Sequence, residues 1–439
     1  MPGKISLYNL GSAGVDLTKS PIHKDDGSLV SAQNAVPDIR DEAGALTKRD
    51  GLVAINGTAL AGGSVQGVVY AALAVGGTGS STHTFYISCD DDLWLRSTDD
   101  FVSFTQVSTP DIPVTASNFS VIGADFGRMI TVDNNRIIYP SNNYTVITDA
   151  PPIHEWNGTT ERELCKIPAD ASTGLHALAV VDMLLVGSKI YLTVSDSGAS
   201  EEPGRVFEMD LHTAALRQLG ERFGTGSGEL GGGTPRALGY VGGFLYVATL
   251  DQNGTGASPR ERIYRMRPSI DTAWATDHTM TGATQFYPSS IVGFRGAAYC
   301  ACAQTVLVRS TTNTWAVSAN AAVTNADEWG ALIVFNDNLY GALRIDPGAT
   351  EAVYIYKFDG TTWTSVHTVD ADASSNPWGG LSSMVYNGTL YFAVGGVRAA
   401  SADAGFRIVS STDGTTWSNL YTDDGTFGDI GERFGVVET

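Results

Sequence analysis

One short phrase returns seven times along this chain: an apolar, strand-like run that contains a tyrosine. The repeated tyrosines are Tyr86, Tyr139, Tyr191, Tyr246, Tyr299, Tyr340 and Tyr391. Successive tyrosines lie 53, 52, 55, 53, 41 and 51 residues apart. A repeat of this length is typical of architectures that stack copies of one supersecondary unit. Because each copy is made of short strands, the period predicts a β-propeller.

The two C-terminal copies show the repeating unit most clearly. Residues 329–369 read as four short apolar strands separated by polar turns, and residues 378–421 repeat the same order. Four antiparallel strands of this kind make one propeller blade. We therefore expect an all-β chain with seven blades. Six blades is the alternative, because the fifth copy is short and the second diverges from the others.

The repeats divide the chain into three parts. Residues 1–65 precede them and form an N-terminal extended segment, residues 66–422 form the propeller, and residues 423–439 form a C-terminal tail. Ring closure in propellers usually needs one terminus to add a strand to the blade made by the other. The candidates for this closing strand are residues 47–56 and residues 431–437.

Composition limits the partners of the chain. The 439 residues carry a formal charge of −20, which repels phosphate backbones and anionic lipids. We therefore expect no stable binding to nucleic acid. No apolar run is long enough to span a bilayer, so we expect no membrane insertion. The glycine-rich segment 224–233 lacks the lysine and helix context of a phosphate loop, and we expect no cofactor.

Two cysteines lie close together on one predicted strand. Cys300 and Cys302 alternate with small residues, so both side chains point to the same face. A zinc site would need a second pair of cysteines or histidines at ligand spacing, and the seven histidines are scattered. We interpret the cysteines as buried free thiols.

The turns between the third and fourth strands carry a motif. Asp359-Gly360-Thr-Thr-Trp363 and Asp413-Gly414-Thr-Thr-Trp417 resemble the Asp-box of sialidase-like propellers. In such a turn the carboxylate accepts backbone N–H groups, glycine takes the positive φ, and tryptophan packs the hairpin onto the blade. In that family the box lies on the outer hairpins, away from the active site. The resemblance therefore implies structural roles for these six residues.

The sequence does not support catalysis. Sialidase chemistry needs an arginine triad, a Tyr–Glu pair, an acid Asp and an early Arg-Ile-Pro motif, and no Arg-Ile-Pro occurs here. Among the clustered carboxylates, Asp90–Asp92 is the best candidate for binding calcium, although solvated turn residues are the commoner reading of such a run. We expect no enzyme activity. A glycoside hydrolase remains a third reading of the chain.

The sequence of the N-terminal segment resembles that of a family with a known function. Residues 31–40, Ser-Ala-Gln-Asn-Ala-Val-Pro-Asp-Ile-Arg, and residues 44–52, Gly-Ala-Leu-Thr-Lys-Arg-Asp-Gly-Leu, are similar to the opening of bacteriophage tail proteins. The chain length is similar to that of the nozzle proteins of short-tailed phages, which form a hexameric tube below the portal and adaptor. Nozzle proteins do not generally show Asp-box turns so clearly, which leaves open another virion role.

This resemblance implies a structural protein of the phage tail, made in the host cytoplasm and located in the virion. It further implies a homo-oligomer, with six copies as the expected number, that contacts the adaptor and the fibres. An acidic wall would suit a tube through which DNA passes, because like charge keeps the DNA from sticking. The alternative is a receptor-binding or glycan-binding propeller of the tail-fibre or lectin type.

Overall fold

The computed structural model describes two parts of the chain at different levels of detail. For residues 35–38, 45–48, 67–74, 81–88, 94–97 and 105–107 it describes the backbone of strands only. Within residues 130–422 it also describes side chains, with gaps. The gaps are residues 133–135, 141–151, 158–159, 170–176, 197–202, 225–229, 232, 251–261, 281–287, 303, 311–313, 319–325, 346–351, 371–380, 387 and 399–403. The predictions for Asp90–Asp92 and for the tail 423–439 concern residues outside the described part of the chain.

The chain divides into two compact units, Met1–Val53 and Ala54–Thr439. In the first unit, β1 (Ala35–Asp38) pairs with β2 (Ala45–Lys48) in an antiparallel hairpin. Two residues of the candidate closing strand 47–56, Thr47 and Lys48, therefore lie in β2 and pair with β1.

The described strands of the second unit form seven antiparallel sheets of four strands each, numbered here in chain order. Sheet 1 has β3 (Gly67–Ala74), β4 (Ser81–Ser88), β5 (Trp94–Ser97) and β6 (Thr105–Val107). Sheet 2 has β7 (Ile130–Val132), β8 (Arg136–Pro140), β9 (Pro152–Trp156) and β10 (Glu161–Lys166). Sheet 3 has β11 (Ala177–Val186), β12 (Lys189–Asp196), β13 (Gly204–Asp210) and β14 (Leu216–Gln218). Sheet 4 has β15 (Thr234–Val241), β16 (Phe244–Leu250), β17 (Arg262–Met266) and β18 (Ala275–Thr279).

The remaining sheets repeat this order. Sheet 5 has β19 (Pro288–Phe294), β20 (Ala297–Cys302), β21 (Thr305–Arg309) and β22 (Trp315–Val317). Sheet 6 has β23 (Ala326–Phe335), β24 (Asn338–Ile345), β25 (Ala352–Phe358) and β26 (Trp363–Asp370). Sheet 7 has β27 (Leu381–Tyr386), β28 (Thr389–Arg398), β29 (Ala404–Ser411) and β30 (Ser418–Thr422). Every sheet therefore consists of four consecutive strands.

Consecutive sheets contact each other mainly through their first strands. β3 contacts β7, β7 contacts β11, and β11, β15, β19, β23 and β27 contact one another in turn. First strands that converge in this way lie at the centre of a propeller, with the fourth strands at the rim. The chain is therefore an all-β propeller, as the repeat predicts. The number of blades in the closed ring stays a prediction.

The core of the described part is divided among the spaces between sheets. Five hydrophobic clusters occur there, and each joins two consecutive sheets from sheet 2 to sheet 7. A single four-stranded sheet has two apolar faces and cannot bury either alone, so stacking is what buries them. We call the face toward the next sheet along the chain the forward face.

The repeated tyrosine lies on the forward face of its sheet. Tyr191, Tyr246, Tyr299 and Tyr340 each belong to the cluster shared with the following sheet. Sheet 2 differs, because Ile138 rather than Tyr139 joins the cluster shared with sheet 3. Tyr139 instead stacks on His154 with ring centroids 5.4 Å apart. The tyrosine phrase is therefore shifted by one residue in sheet 2, which turns its side chains to the opposite face.

A small residue follows each forward tyrosine by two positions. In sheets 3 to 7 these residues are Thr193, Ala248, Ala301, Ala342 and Ala393, and each is buried. Because alternate residues of a strand share one face, the small side chain lies beside the tyrosine on the forward face. Ala248, Ala301 and Ala342 belong to the clusters that sheets 4, 5 and 6 share with the next sheet, so a larger side chain there would displace part of that cluster.

We expect Ala342→Leu to lower the free energy of unfolding by about 1–3 kcal/mol, because the added atoms overpack the space between sheets 6 and 7. Urea unfolding followed by tryptophan fluorescence measures the change. The exposed Ala316 on β22 provides the control, since Ala316→Leu adds the same atoms outside the core. Equal midpoints for the two variants would contradict this packing.

Candidate functional site

The turn between β25 and β26 is held by its own side chains. The Asp359 carboxylate accepts the backbone N–H of Thr361 at 2.7 Å and of Thr362 at 2.9 Å, both through Oδ1. The Thr361 hydroxyl also donates to Oδ1, at 2.6 Å. These bonds stabilise the charged form, led by the bond from the Thr361 side chain, and lower the pKa of Asp359 to about 2.

The turn between β29 and β30 repeats this arrangement. Asp413 Oδ1 accepts the backbone N–H of Thr415 at 2.7 Å and of Thr416 at 2.6 Å, and Ser411 Oγ accepts that of Gly414 at 2.8 Å. The backbone bond from Thr416 is the largest of the effects that lower the pKa of Asp413. This turn and its counterpart in sheet 6 therefore have the geometry that the motif predicts for a carboxylate-capped turn.

The glycines of these turns are fixed by conformation and by close neighbours. Gly360 has φ +102° and Gly414 has φ +74°, values that favour glycine. A Cβ atom at Gly360 would meet the Arg295 guanidinium, and one at Gly414 would meet the Tyr340 hydroxyl. Both neighbours belong to the preceding sheet, so each turn is seated against it.

A third carboxylate turn was missed by the sequence reasoning. Asp210 Oδ1, at the end of β13, accepts the backbone N–H groups of His212 and Thr213, each at 3.0 Å. Lys189 Nζ donates to the other oxygen at 2.8 Å and is the main cause of the lowered pKa of Asp210. Residues 210–213, Asp-Leu-His-Thr, lack the glycine and the tryptophan of the motif, so only the position at the end of a third strand could have revealed this turn.

Indole N–H groups link successive sheets at the rim. Each comes from a tryptophan at or beside the start of a fourth strand and donates to the preceding sheet or to the residue after its last strand. Trp274 donates to the Leu219 carbonyl at 2.8 Å, Trp315 to Asp277 Oδ2 at 2.6 Å, and Trp363 to Ser318 Oγ at 3.0 Å. The predicted role of Trp363, packing a hairpin onto its own blade, thus extends to a hydrogen bond with the neighbouring one.

Trp417 lies in the equivalent place in sheet 7 but makes a different contact. Its ring stacks on His367 of sheet 6, with centroids 5.6 Å apart and planes 15° apart. It also packs against Phe392 at 5.9 Å. Burial of His367 lowers the pKa of its imidazole, which favours the neutral ring in this stack.

Arginines of the third strands form a second set of links. Arg205 of β13 donates to the Pro168 carbonyl at 2.9 Å, and Arg407 of β29 donates to the Val369 carbonyl at 2.8 Å. Both acceptors belong to the end of the preceding sheet or to the connection that follows it. Arg205 pairs with Val194 and Arg407 with Val394, three residues after the repeated tyrosine in each case, so the two arginines occupy the same place in the repeat.

First strands are linked by buried polar side chains. Asp182 of β11 accepts the Leu238 backbone N–H of β15 at 2.8 Å. Ser289 of β19 donates to the Trp329 carbonyl of β23 at 2.6 Å. Hydrogen bonds of this kind satisfy polar groups at the irregular pairings of the first strands, which would otherwise be buried without partners.

Two buried carboxylates, each paired with two arginines, belong to the same framework. Asp196 is fully buried and accepts from Arg205 Nη2 at 2.6 Å, with Arg222 Nε 3.3 Å away. At the interface of sheets 4 and 5, Asp277 pairs with Arg265 at 2.9 Å and with Arg309 at 2.6 Å. Each of these two carboxylates therefore has two arginine partners that balance its charge.

The cysteine pair is buried, as predicted, and its thiols are free. Cys302 Sγ lies 3.6 Å from Cys300 Sγ, in the cluster between sheets 4 and 5. Burial raises the pKa of Cys302, which opposes the thiolate that a metal would need. The third described thiol, Cys165, is half-buried and its pKa is raised to about 11, mainly by burial.

The described residues contain no group of three or more His, Cys, Asp or Glu side chains that could hold a metal ion. The calcium prediction for Asp90–Asp92 lies outside those residues and stays a prediction. Within the same described part, no helix has the length and apolar character to cross a membrane.

Comparison with known proteins gives no family for the chain. No family model matches, and no curated relative matches. Among solved structures, a chain from a study of two prolyl endopeptidases has TM-score 0.33 at 11% identity, over 68% of this chain and 50% of that one. The chain thus spans half the length of that protein.

Two further structures are similar at the same low level. YCF48 from Cyanidioschyzon merolae has TM-score 0.42 at 10% identity, over 77% of this chain and 94% of that one. The quinohemoprotein alcohol dehydrogenase ADHIIG from Pseudomonas putida HK5 has TM-score 0.45 at 11% identity, over 80% and 66%.

We expect the rim bond of Trp363 to stabilise the interface between sheets 5 and 6. Trp363→Phe and Ser318→Ala should each lower the free energy of unfolding by about 1–3 kcal/mol. Each substitution removes one partner of a buried hydrogen bond and leaves the other partner unsatisfied. Combined, the two changes should cost less than the sum of the single changes, as measured by urea unfolding. Strictly additive losses would show that the two side chains do not interact.

Asp359 should stay ionised at pH values that protonate an ordinary aspartate. Its ordinary pKa of 3.8 is lowered to about 2 in the folded chain. The turn is therefore intact above pH 4, and its carboxylate bonds are lost as the pH falls toward 2. The amide proton shifts of Thr361 and Thr362 should follow this midpoint by NMR, and Asp359→Asn should abolish the titration. A midpoint at 3.8 would contradict the bonds described here.

Proposed function

We propose that this chain is a non-catalytic structural protein of a phage virion tail, of the nozzle type, in which the propeller acts as a rigid scaffold. The single observation that carries the proposal is the use of polar side chains in the described part. Indole, guanidinium, hydroxyl and carboxylate groups bond successive sheets to one another at the rim, in the middle and at the centre.

The partners of the acidic side chains favour a scaffold over an enzyme. A catalytic site needs acid, base or nucleophilic groups within reach of a substrate, with pKa values suited to proton transfer. The buried carboxylates Asp196 and Asp277 instead face arginines, and Asp359 and Asp413 hold their own turns. A ring that bears mechanical load in a virion benefits from such bonds, because each must break before two sheets can separate.

The two ends of the propeller differ in the length of their connections. In antiparallel sheets, the connections between the first and second strands and between the third and fourth strands lie at one end. The connections between the second and third strands, and those that lead from one sheet to the next, lie at the opposite end. In sheets 3 to 7 the first–second turns all have two residues, and the third–fourth turns have four to eight. At the opposite end, the connections into and within these sheets have up to fifteen residues. We call this opposite end the long-loop end.

Charge follows the same division. The connections of the long-loop end in sheets 3 to 7 carry 11 acidic and 2 basic residues, against 4 acidic and 2 basic residues at the short end. Surface loops held by a rigid scaffold are the usual carriers of contacts with partners. We therefore assign contacts with other tail proteins, the adaptor and the fibres, to the long-loop end. Its acidity suits a passage for DNA, since like charge repels phosphates.

The test of the virion role is assembly. The purified chain, alone or with the proteins encoded beside its gene, should form ring-shaped particles with a mass near six times 46.3 kDa. Negative-stain microscopy and mass photometry measure both properties. A strict monomer that also fails to join neighbouring tail proteins would overturn the proposal.

A second candidate function rests on one exposed aromatic side chain. Tyr240 is 40% exposed and stacks on the buried Tyr191, with planes 7° apart and centroids 6.4 Å apart. A charged group lies beside Tyr191: Glu208 pairs with it across β12 and β13, accepts a hydrogen bond from Arg217 at 3.1 Å and lies 3.5 Å from Lys189. An aromatic ring beside planar polar groups is a common way to bind sugars, which supports a receptor-binding or glycan-binding propeller.

Glycan-array binding separates the two candidates. Binding by a monomeric protein that is lost in Tyr240→Ala and kept in Val317→Ala, a change at another exposed apolar residue, would favour the glycan-binding function. An array with no signal for the unchanged protein would remove this candidate and leave the scaffold proposal untouched.

A further inference from the structure

Two of the indole bonds at the rim end at the same position of the preceding sheet. Trp315 donates to Asp277, which lies three residues after Trp274 in sheet 4. Trp363 donates to Ser318, which lies three residues after Trp315 in sheet 5. Each acceptor therefore follows the tryptophan of its own sheet by three residues. We call the place of the acceptor the rim position of its sheet.

In sheet 6 the rim position holds His367. A β-bulge adds Val366 to β26, so His367 follows Trp363 by four residues instead of three. His367 lies opposite Ile355, which in turn pairs with Ala342, the small residue two places after the repeated tyrosine. The rim position of sheet 5 lies at the same point, because the residue there bonds the third-strand residue that pairs with the equivalent alanine of β20.

Trp417 of sheet 7 meets this histidine by stacking instead of donating a hydrogen bond. The indole Nε1 and the imidazole Nε2 of His367 are buried, and neither has a hydrogen-bond partner among the described residues. A neutral imidazole keeps one nitrogen without a proton, whereas an imidazolium carries a proton on both nitrogens. A buried cationic N–H without an acceptor is more costly than a neutral nitrogen without a donor. Protonation of His367 therefore disfavours this stack.

The charged groups around the stack do not offset that cost. Among the described residues, the other charged or titratable side chains on the forward face of sheet 6 and on the facing side of sheet 7 are Tyr340, Arg344, Lys357, Arg407 and Asp413. Three of the five are cations, which repel an imidazolium. The carboxylate of Asp413 accepts the N–H groups of its own turn. Burial accordingly lowers the pKa of His367, with no carboxylate to oppose it.

We propose that the contact between His367 and Trp417 is a proton-sensitive contact, which joins the rims of sheets 6 and 7 while the imidazole is neutral and loosens when the imidazole is protonated. The indole bond between sheets 5 and 6 ends on a hydroxyl group, which does not titrate in this range. Mild acid thus loosens one interface and leaves its neighbour intact. This inference depends on neither the virion role nor glycan binding.

The direction of the pH dependence follows from the histidine. Its ordinary pKa of 6.5 is lowered in the closed contact, so the open form binds a proton more readily. The contact is therefore complete above pH 6.5 and weakens as the pH falls below that value.

Hydrogen–deuterium exchange of the full chain tests the proposal. Rates are compared at about pH 5 and about pH 8, the range in which histidine changes its charge, after correction for the intrinsic effect of pH on exchange. At the lower pH, β26 and residues 411–417 should exchange about threefold to tenfold faster. Strands β21 and β22 should exchange at the same corrected rate at both pH values.

Two kinds of variant separate this histidine from the rest of the chain. His367→Phe keeps an aromatic ring for the stack and removes the titration, and His367→Gln removes the titration with a polar side chain. Both should abolish the difference between the two pH values. The control is His278→Gln, which removes another partly buried histidine whose pKa is lowered, on β18 of sheet 4. It should leave the response of β26 unchanged.

The possible results divide cleanly. Equal corrected rates at both pH values in the unchanged chain, or a response that persists in His367→Phe, would overturn the proposal. Slower exchange at the lower pH would show that the imidazolium holds the indole by cation–π attraction, and would overturn it as well. NMR titration of the unchanged chain needs no variant: a midpoint for His367 below 6.5 supports the proposal, and a midpoint above 6.5 contradicts it.

Discussion

The need of each four-stranded sheet to bury two apolar faces governs this structure. No sheet can do so alone, and each hydrophobic cluster in the described part is shared by two sheets. Burial of this kind is the dominant stabilising term, at about 25 cal/mol for each Å² of apolar surface removed from water. Burial of apolar surface does not depend on direction, whereas hydrogen bonds do. The polar contacts at the rim and the centre therefore fix the orientation of each sheet relative to the next.

Much of the fold could be predicted from the sequence, because a repeat reports its own period. The order of four strands was readable in residues 329–369, where tryptophan, glycine and aspartate mark the turns. The face of each tyrosine was harder to predict. In sheet 2 the phrase around Tyr139 looks like the others, yet its register differs by one residue, and only the packing of Ile138 shows it. The spacing between repeats varies by several residues, so it cannot show that the strand register of one sheet is shifted by one residue.

The contacts between sheets could be predicted only in part. The Asp-Gly-Thr-Thr-Trp turns predict local hydrogen bonds, since donors and acceptor are neighbours in sequence. The partner of Trp363 is Ser318, 45 residues away, and no local pattern indicates it. The small residue after each tyrosine was a usable signal, because Ala248, Ala301 and Ala342 recur at one spacing. Its meaning depends on knowing which face the next sheet covers.

The strictly consecutive pairing of strands has a consequence for how such a chain could change over time. An in-frame duplication or deletion of about fifty residues, bounded by the connections between sheets, would add or remove one whole sheet without altering the partner of any described strand. The number of sheets in the propeller could thus differ among descendants of one gene, while each remaining sheet kept its hydrogen bonds. In a propeller whose first and last strands share one sheet, deletion of that sheet's residues at one end would leave the strand from the other end without a partner.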